Sequence, residues 1–380
     1  MMSAGSLQTA LCCQLGIDVP IFGFSHSVDV TVALAECGGF PVFGAARETP
    51  DRIAEDIATI RKRIGRRPFG VDLMYPKLAG DEPDRQTAYA KTPAAHRAFV
   101  DAIRAKYNVP PAGAGNFFSS QIRNQEFFRA QTEVVLNSDT DAVVTAVGLP
   151  PKVIAQAKAR GKTTFALIGA ARHAAAARAA GVDILVAQGY DAGGHTGPVG
   201  TFTLVPQIVE ASGGLPVLTA GGVGCGRQIA ASFGLGAQGV WLGTAWLAAR
   251  EHHTPPVLLR KVLEARSEDT VLTRAHSGKP CRVLRSAWSE EWAAKDAPDA
   301  LPMPYQQALI GDVLASVEEH EIEPLVYEAA GQSVAWFNEL SSVRDIVTRL
   351  TDETLAALDD MRGLLQGRPE PKHAGVSQAL

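Results

Sequence analysis

Eight short apolar runs, helical patterns between most of them, and two glycine-rich turns in succession at the end of the series predict an α/β protein built as a (β/α)8 TIM barrel. Alternation of strand and helix implies parallel strands joined by right-handed crossovers. The 380 residues exceed one average domain, but a barrel of about 250 residues carrying insertions takes them up. An open doubly wound sheet is the second architecture, disfavoured because no GxGxxG follows the first strand.

The apolar runs fall at residues 19–24, 39–43, 68–73, 141–146, 163–168, 183–187, 215–220 and 239–242, each bounded by turn residues. Helical patterns at 29–37, 50–64, 151–160 and 170–180 separate most of them. The spacing breaks between Leu73 and Asp141, where the pattern predicts a helix over 92–106, the turn Val109-Pro-Pro-Ala-Gly-Ala-Gly115 and a helix near 119–131. An insertion after a strand's carboxyl end lies on the active face of a barrel, so residues 74–140 are a candidate lid. The same segment could instead be a decoration used between copies of the chain, which leaves a homo-oligomer open. The expected division is therefore a barrel over 1–250, containing that insertion, and a helical C-terminal extension over 251–380 packed on it. Helices are expected to about Leu365, followed by a frayed end.

With 46% hydrophobic and 20% charged residues the chain is an ordinary globular protein, neither disordered nor fibrous. A formal charge of −4 argues against a nucleic-acid or anionic-membrane partner, which calls for clustered cations. The basic run Arg61-Lys-Arg-Ile-Gly-Arg-Arg67 sits at a predicted helix end, where cations suit the dipole. Neither a secretory leader nor an apolar run of about 18 residues is found, so a cytoplasmic protein is expected. Five cysteines without a CxxC pair fit neither a disulfide framework nor a zinc site. Cys225 is either a nucleophile at a helix start or a small residue in a tight turn, the second being favoured. Adjacent His252 and His253 point in different directions on a helix and have no third ligand, so no metal is expected.

The most informative stretch is Gln188-Gly-Tyr-Asp-Ala-Gly-Gly-His195-Thr-Gly197, directly after the strand pattern Val182-Asp-Ile-Leu-Val-Ala187. His195 thus lies just past a strand's carboxyl end, among glycines that let a flat ligand approach the main chain. Next comes Pro216-Val-Leu-Thr-Ala220 leading into Gly221-Gly-Val-Gly224, then Ala237-Gln-Gly-Val-Trp-Leu242 leading into Gly243-Thr244. In a (β/α)8 barrel the turns after the seventh and eighth strands, with a helix amino terminus, form the usual phosphate site.

Together with the later Arg282-Val-Leu-Arg285, these segments resemble the nitronate monooxygenase family, formerly 2-nitropropane dioxygenase, whose members are FMN-dependent (β/α)8 barrels. The strong resemblance covers about residues 181–250, and a weaker one extends to Gly331-Gln332. It implies His195 as a catalytic base that removes the proton α to a nitro group or orients the substrate over the flavin. It implies FMN contacts at Gln188, Gly193 and Gly194, and phosphate turns at Gly221, Gly222 and Trp241-Leu242-Gly243-Thr244. Where the family's first strand usually ends in Pro-Met-Ala or Pro-Met-Ser, this chain has Phe24-Ser-His-Ser27, so Phe24 lies near the expected flavin ring and His26 replaces methionine. Asp72 stands where asparagine is common. It either bonds the flavin or substrate, or caps the following turn. His26 is a second acid/base or a satisfied polar residue of its turn.

The implied reaction takes an alkyl nitronate or nitroalkane and O2. An NAD(P)H-dependent reductase of a quinone or enoyl thioester is the second reading, because related barrels carry a similar glycine-histidine motif. A non-redox phosphate-binding barrel, either lyase, isomerase or binding protein, is the third. No lysine ends a predicted strand, which counts against the Schiff-base form of lyase.

Overall fold

A computed structural model gives the structure of residues 7–113 and 121–365. Strands β1 (Ile21–Ser25), β2 (Phe40–Gly44), β3 (Gly70–Met74), β4 (Ala142–Ala146), β5 (Thr163–Ile168) and β6 (Ile184–Gln188) pair in sequence order, all parallel. The chain then leaves the wall for a two-residue strand, β7 (Gly194–His195), before β8 (Val217–Ala220) pairs directly with β6. Strand β9 (Gly239–Leu242) closes the barrel by pairing Ile21 with Val240 and Phe22 with Trp241. The eight wall strands are the eight runs expected, each shifted by two residues or fewer at either end.

The barrel interior is filled rather than hollow. Phe22, Phe40 and Phe165 pack as a triangle, with ring centroids 5.4 to 6.1 Å apart. Val42, Val144, Ile184, Val186 and Leu218 complete that cluster. Leu11 and Cys12 of the Ala10–Leu15 helix join it, as does Ile17. Layered branched and aromatic side chains of this kind make a barrel a packed core, so ligand space is left only at its carboxyl-terminal end. The surrounding helices bury one face each. Ile53, Ile57, Ile60 and Ile64 of the Pro50–Ile64 helix recur at intervals of three and four, placing them on one stripe. Arg61 in its last turn bonds the carbonyls of Gly65, Arg67 and Asp139 and the Asp141 carboxylate, which accounts for the basic run.

The insertion after β3 carries helices Arg85–Ala90, Ala94–Lys106 and Gln125–Asn137. The last begins later than the expected 119–131, whose first two residues lie outside the described residues, as do residues 114 and 115 of the expected turn. Its start is set by Asn124, whose side chain accepts from Phe127 N, and by Asp81, which accepts from Gln125 N.

The C-terminal extension is not wholly helical. Strands β10 (Thr270–Thr273) and β11 (Cys281–Leu284) pair antiparallel, and β11 pairs antiparallel with β7 in turn. Val100, Ile103 and Val109 of the insertion share an apolar cluster with Trp288, Leu309, Ile310, Val313 and Val317 of the extension. Two segments separated by about 110 residues of barrel are thus one cap over its carboxyl-terminal face. Among the described residues no helix is long and apolar enough to cross a membrane.

Candidate active site

The carboxyl ends of the wall strands and the cap enclose a cavity of about 1570 Å³. Ligand pockets are commonly about 300 to 1,000 Å³, so this one has room for a cofactor and a second molecule. Every site residue expected from the sequence lines it.

At the end of β1, the ring of Phe24 stacks on Trp241 of β9 at 6.3 Å and meets the edge of His26 at 5.2 Å. His26 Nδ1 lies 2.6 Å from the carbonyl of Gly44. A carbonyl only accepts, so Nδ1 carries the hydrogen and Nε2 keeps its lone pair. Burial, reinforced by the Arg47 guanidinium, lowers the His26 pKa to about 4, against an opposing pull from Glu328. Asp72 of β3 is 4% exposed, and among the described residues its Oδ1 has no hydrogen-bond partner. Burial alone raises its pKa well above the usual carboxylate range, so the protonated form is favoured.

The two glycine turns end β8 and β9. Gly221 and Gly222 adopt φ of +98° and +75°, and a Cβ on Gly222 would lie 3.0 Å from the Cβ of Asp191. No acceptor among the described residues takes the N–H groups of Gly222, Val223 or Gly243. Gly222 and Gly243 are half-buried and Val223 is buried, and their three open N–H groups beside the cavity are donors that could hold an anion. The expectation of a helix amino terminus at these turns is corrected. The Gly226–Gly234 helix has its start occupied: Gln228 Oε1 accepts from Gly224 and Cys225 N, and Glu353 of the last helix accepts from Gly226 N. The other turn runs into a 3-10 helix, Thr244–Ala248. Thr244 Oγ1 accepts from Gly331 N at 2.9 Å, locking the tail segment against the turn. Cys225 is buried in the first turn.

The glycine-histidine loop is held from several sides. Gln188 Nε2 donates to Gly193 O at 3.4 Å, Gln332 N to Asp191 O, and Thr201 N to the Asp191 carboxylate. A Cβ on Gly193 would meet Ala330 and Gly331 at 2.7 Å, whereas one on Gly194 would meet nothing within 4 Å. Arg282, 2% exposed, lays its guanidinium 4.5 Å from the Tyr190 ring centroid and donates Nε–H to the Tyr190 carbonyl. It clamps the loop from the extension.

His195 pairs with Cys281 across β7 and β11, and its Nε2 lies 2.8 Å from Ser277 Oγ. Nδ1 is left for a ligand. Burial, then Arg123, Lys279 and Arg47, lower the His195 pKa to about 4, so the imidazole is neutral at physiological pH. Sequence reasoning missed Ser277, the Arg47–Glu328 pair at 3.3 Å, Arg123, and His276 stacked on Tyr327. None lies in a motif. His252 bonds Thr254 and His253 bonds Asp29, and among the described residues no group of three His, Cys, Asp or Glu is placed to hold a metal.

The class to which this barrel belongs follows from comparison with known proteins: it is an enzyme, an oxidoreductase of the monooxygenase type. The chain belongs to the nitronate monooxygenase family, whose model matches residues 10–353. It is 38% identical to a Mycobacterium tuberculosis protein named "Putative monooxygenase Rv1533", over 95% of this chain and 100% of that one. It is 29% identical to the (3aS,4S,5R,7aS)-5-hydroxy-7a-methyl-1-oxo-octahydro-1H-indene-4-carboxyl-CoA dehydrogenase of the same organism, over 75% of this chain and 68% of the other. The structure of nitroalkane oxidase from Streptomyces ansochromogenes superposes with a TM-score of 0.78 at 25% identity, covering 93% of this chain and all of that one.

Proposed function

We propose that the protein binds FMN in this cavity and oxidises alkyl nitronates, with O2, to a carbonyl compound and nitrite. The observation that carries the reading is the anion cradle of Gly222, Val223 and Gly243 amides in the same cavity as a neutral histidine fixed by Ser277. These residues fit the cofactor: the amides suit a phosphate, Phe24 and Trp241 offer a flat apolar wall, and the unpartnered Asp72 Oδ1 offers a polar contact at its edge. Gln188, Gly193, Gly194, Gly221, Leu242 and Thr244 frame the same space. When bound, the flavin would supply the redox chemistry of the oxidative denitrification.

The chain's own residues bind, orient and move a proton. For a neutral nitroalkane, His195 Nδ1 removes the α proton while Ser277 holds Nε2 and fixes the ring. A preformed nitronate skips that step and leaves His195 a binding role. Arg47, Arg123 and Lys279 give the surroundings a positive potential that favours the anion. Residues 74–140 act as a lid in this reading, together with the extension after residue 250. Free thiols at all five cysteines fit a reducing, cytoplasmic setting.

Aerobic turnover of propyl-2-nitronate tests the proposal: acetone and nitrite should form in equal amounts, and only with FMN-loaded protein. Equal rates without flavin would refute it.

A flavin-dependent reductase of a thioester is the second reading. The coenzyme A ester dehydrogenase relative favours it, as do four cations with exposed or half-buried side chains at the cavity, Lys77, Arg172, Arg274 and Lys279.

A further inference from the structure

The cavity wall carries a second histidine that the reaction above leaves unused. His276 lies between β10 and β11, directly before Ser277, and is 9% exposed. Its ring stacks on Tyr327, with centroids 3.6 Å apart and planes 23° from parallel. Among the described residues neither Nδ1 nor Nε2 has a hydrogen-bond partner. Buried polar groups are ordinarily satisfied, and a neutral imidazole has one donor and one acceptor to satisfy. Two unpartnered nitrogens, each shielded from water, on a buried ring that lines the cavity therefore leave a hydrogen-bonding need that a ligand can meet. The N–H needs an acceptor, and the other nitrogen needs a donor or a proton.

The charged and titratable groups acting on this ring are Arg47, Glu328 and His195, with Tyr327 against its face. Glu328 is committed to Arg47 at 3.3 Å. Arg47 also acts on His195, as do Arg123 and Lys279. A neutral oxygen ligand would satisfy the N–H alone. An anion also satisfies the second nitrogen, because its charge draws a proton onto the ring.

We propose that His276, backed by Tyr327, is the subsite for the planar, singly charged oxygen pair of the substrate, and that it takes up a proton when the anion binds. The proposal rests on the nitronate reading and names the residue that would hold the nitronate's head beside His195. Burial first, then Arg47, lowers the pKa of the empty-site His276 to about 3, so the ring is neutral before the anion arrives.

The test uses the FMN-loaded full chain and inorganic nitrate, a planar, unreactive monoanion. Calorimetry in two buffers of different ionisation enthalpy reads the protons taken up. Nitrate should bind with net proton uptake that grows as the pH is lowered from 7 toward 5. His276→Phe, which keeps an aromatic ring against Tyr327, should weaken binding about tenfold or more and abolish the uptake at unchanged flavin content. His195→Asn should retain the uptake. Nitrate binding without proton uptake, no binding, or the same uptake in His276→Phe would each overturn the proposal. Should His276→Phe not fold, nitrogen-15 shifts of wild-type His276 decide: an imidazolium with nitrate supports the subsite, and a neutral ring refutes it. Nitronate that fails to reduce the flavin, while nitrate still binds with proton uptake, would sink the nitronate reaction and leave the anion subsite standing.

Discussion

His195 and Ser277 share a 2.8 Å hydrogen bond between residues 82 apart in the chain, joining the loop after β6 to the strand pair of the C-terminal extension. Ser277 Oγ donates to the Lys279 carbonyl and so accepts from Nε2–H, which leaves Nδ1 as the basic nitrogen. His195→Asn should lower kcat/KM for neutral nitroalkanes by about 10²- to 10⁴-fold, the usual worth of a positioned base, and that for preformed nitronates far less. Steady-state kinetics with a nitroalkane and its nitronate separate the two. Equal losses would remove the base assignment.

Ser277→Ala tests the orientation of that base. It should lower nitroalkane turnover about tenfold, equivalent to about 1.4 kcal/mol for one lost hydrogen bond, with flavin content unchanged. Wild-type turnover in the variant would show that β7 pairing alone fixes the ring.

The wall strands were legible in the sequence because a parallel strand buried on both faces reads as a short apolar run between turn residues. The glycine turns and His195 were placed at the cavity for a local reason too, since glycine permits close approach to the main chain. His276, Ser277 and Tyr327 were not. His276 and Ser277 reach the cavity through the pairing of β11 with β7, and Tyr327 arrives beside them where Leu284 N donates to Glu328 O, contacts between distant segments that leave no periodic trace in a tail read as helical. The Arg47–Glu328 pair is likewise an encounter of residues 281 apart. The helix amino terminus expected at the phosphate turns failed because Glu353, far along the chain, occupies it.

The buried histidines make stability depend on acid. His26 and His195 titrate near 4 and His276 near 3 in the folded protein, against about 6.5 unfolded. The unfolded chain therefore binds more protons as pH falls below 6.5, and stability is lost from there down to about pH 4 and below. Thermal melts across pH 4 to 8 should show Tm falling on the acid side, less steeply in His276→Phe than in wild type. An identical slope in that variant would contradict a neutral, buried His276.

Asp72 has the opposite sign. Its folded pKa is raised, so the unfolded chain releases a proton above pH 3.8 that the folded state retains, and stability declines as pH rises through that window. In flavin-free protein, Asp72→Asn should raise Tm at pH 7 to 8 and make little difference near pH 4. A lower Tm at neutral pH would place a charged, stabilised carboxylate at this position.

Gly222→Ala should impair flavin retention. The substitution places a Cβ at φ +75° and 3.0 Å from Asp191, within the cradle of open amides. Equilibrium dialysis should show FMN binding about tenfold weaker or worse, since one strained backbone position costs about 1 to 3 kcal/mol. Unchanged affinity would remove these amides from the phosphate site.

The measurement that tests the central claim most directly is the anaerobic visible spectrum of the FMN-loaded protein, recorded alone, with NADH or NADPH, and separately with an alkyl nitronate. The account predicts that the flavin band bleaches with nitronate and persists with either nicotinamide. Rapid bleaching by a nicotinamide and none by nitronate would contradict it and identify a reductase, while a colourless protein that FMN cannot reconstitute would overturn the flavin site itself.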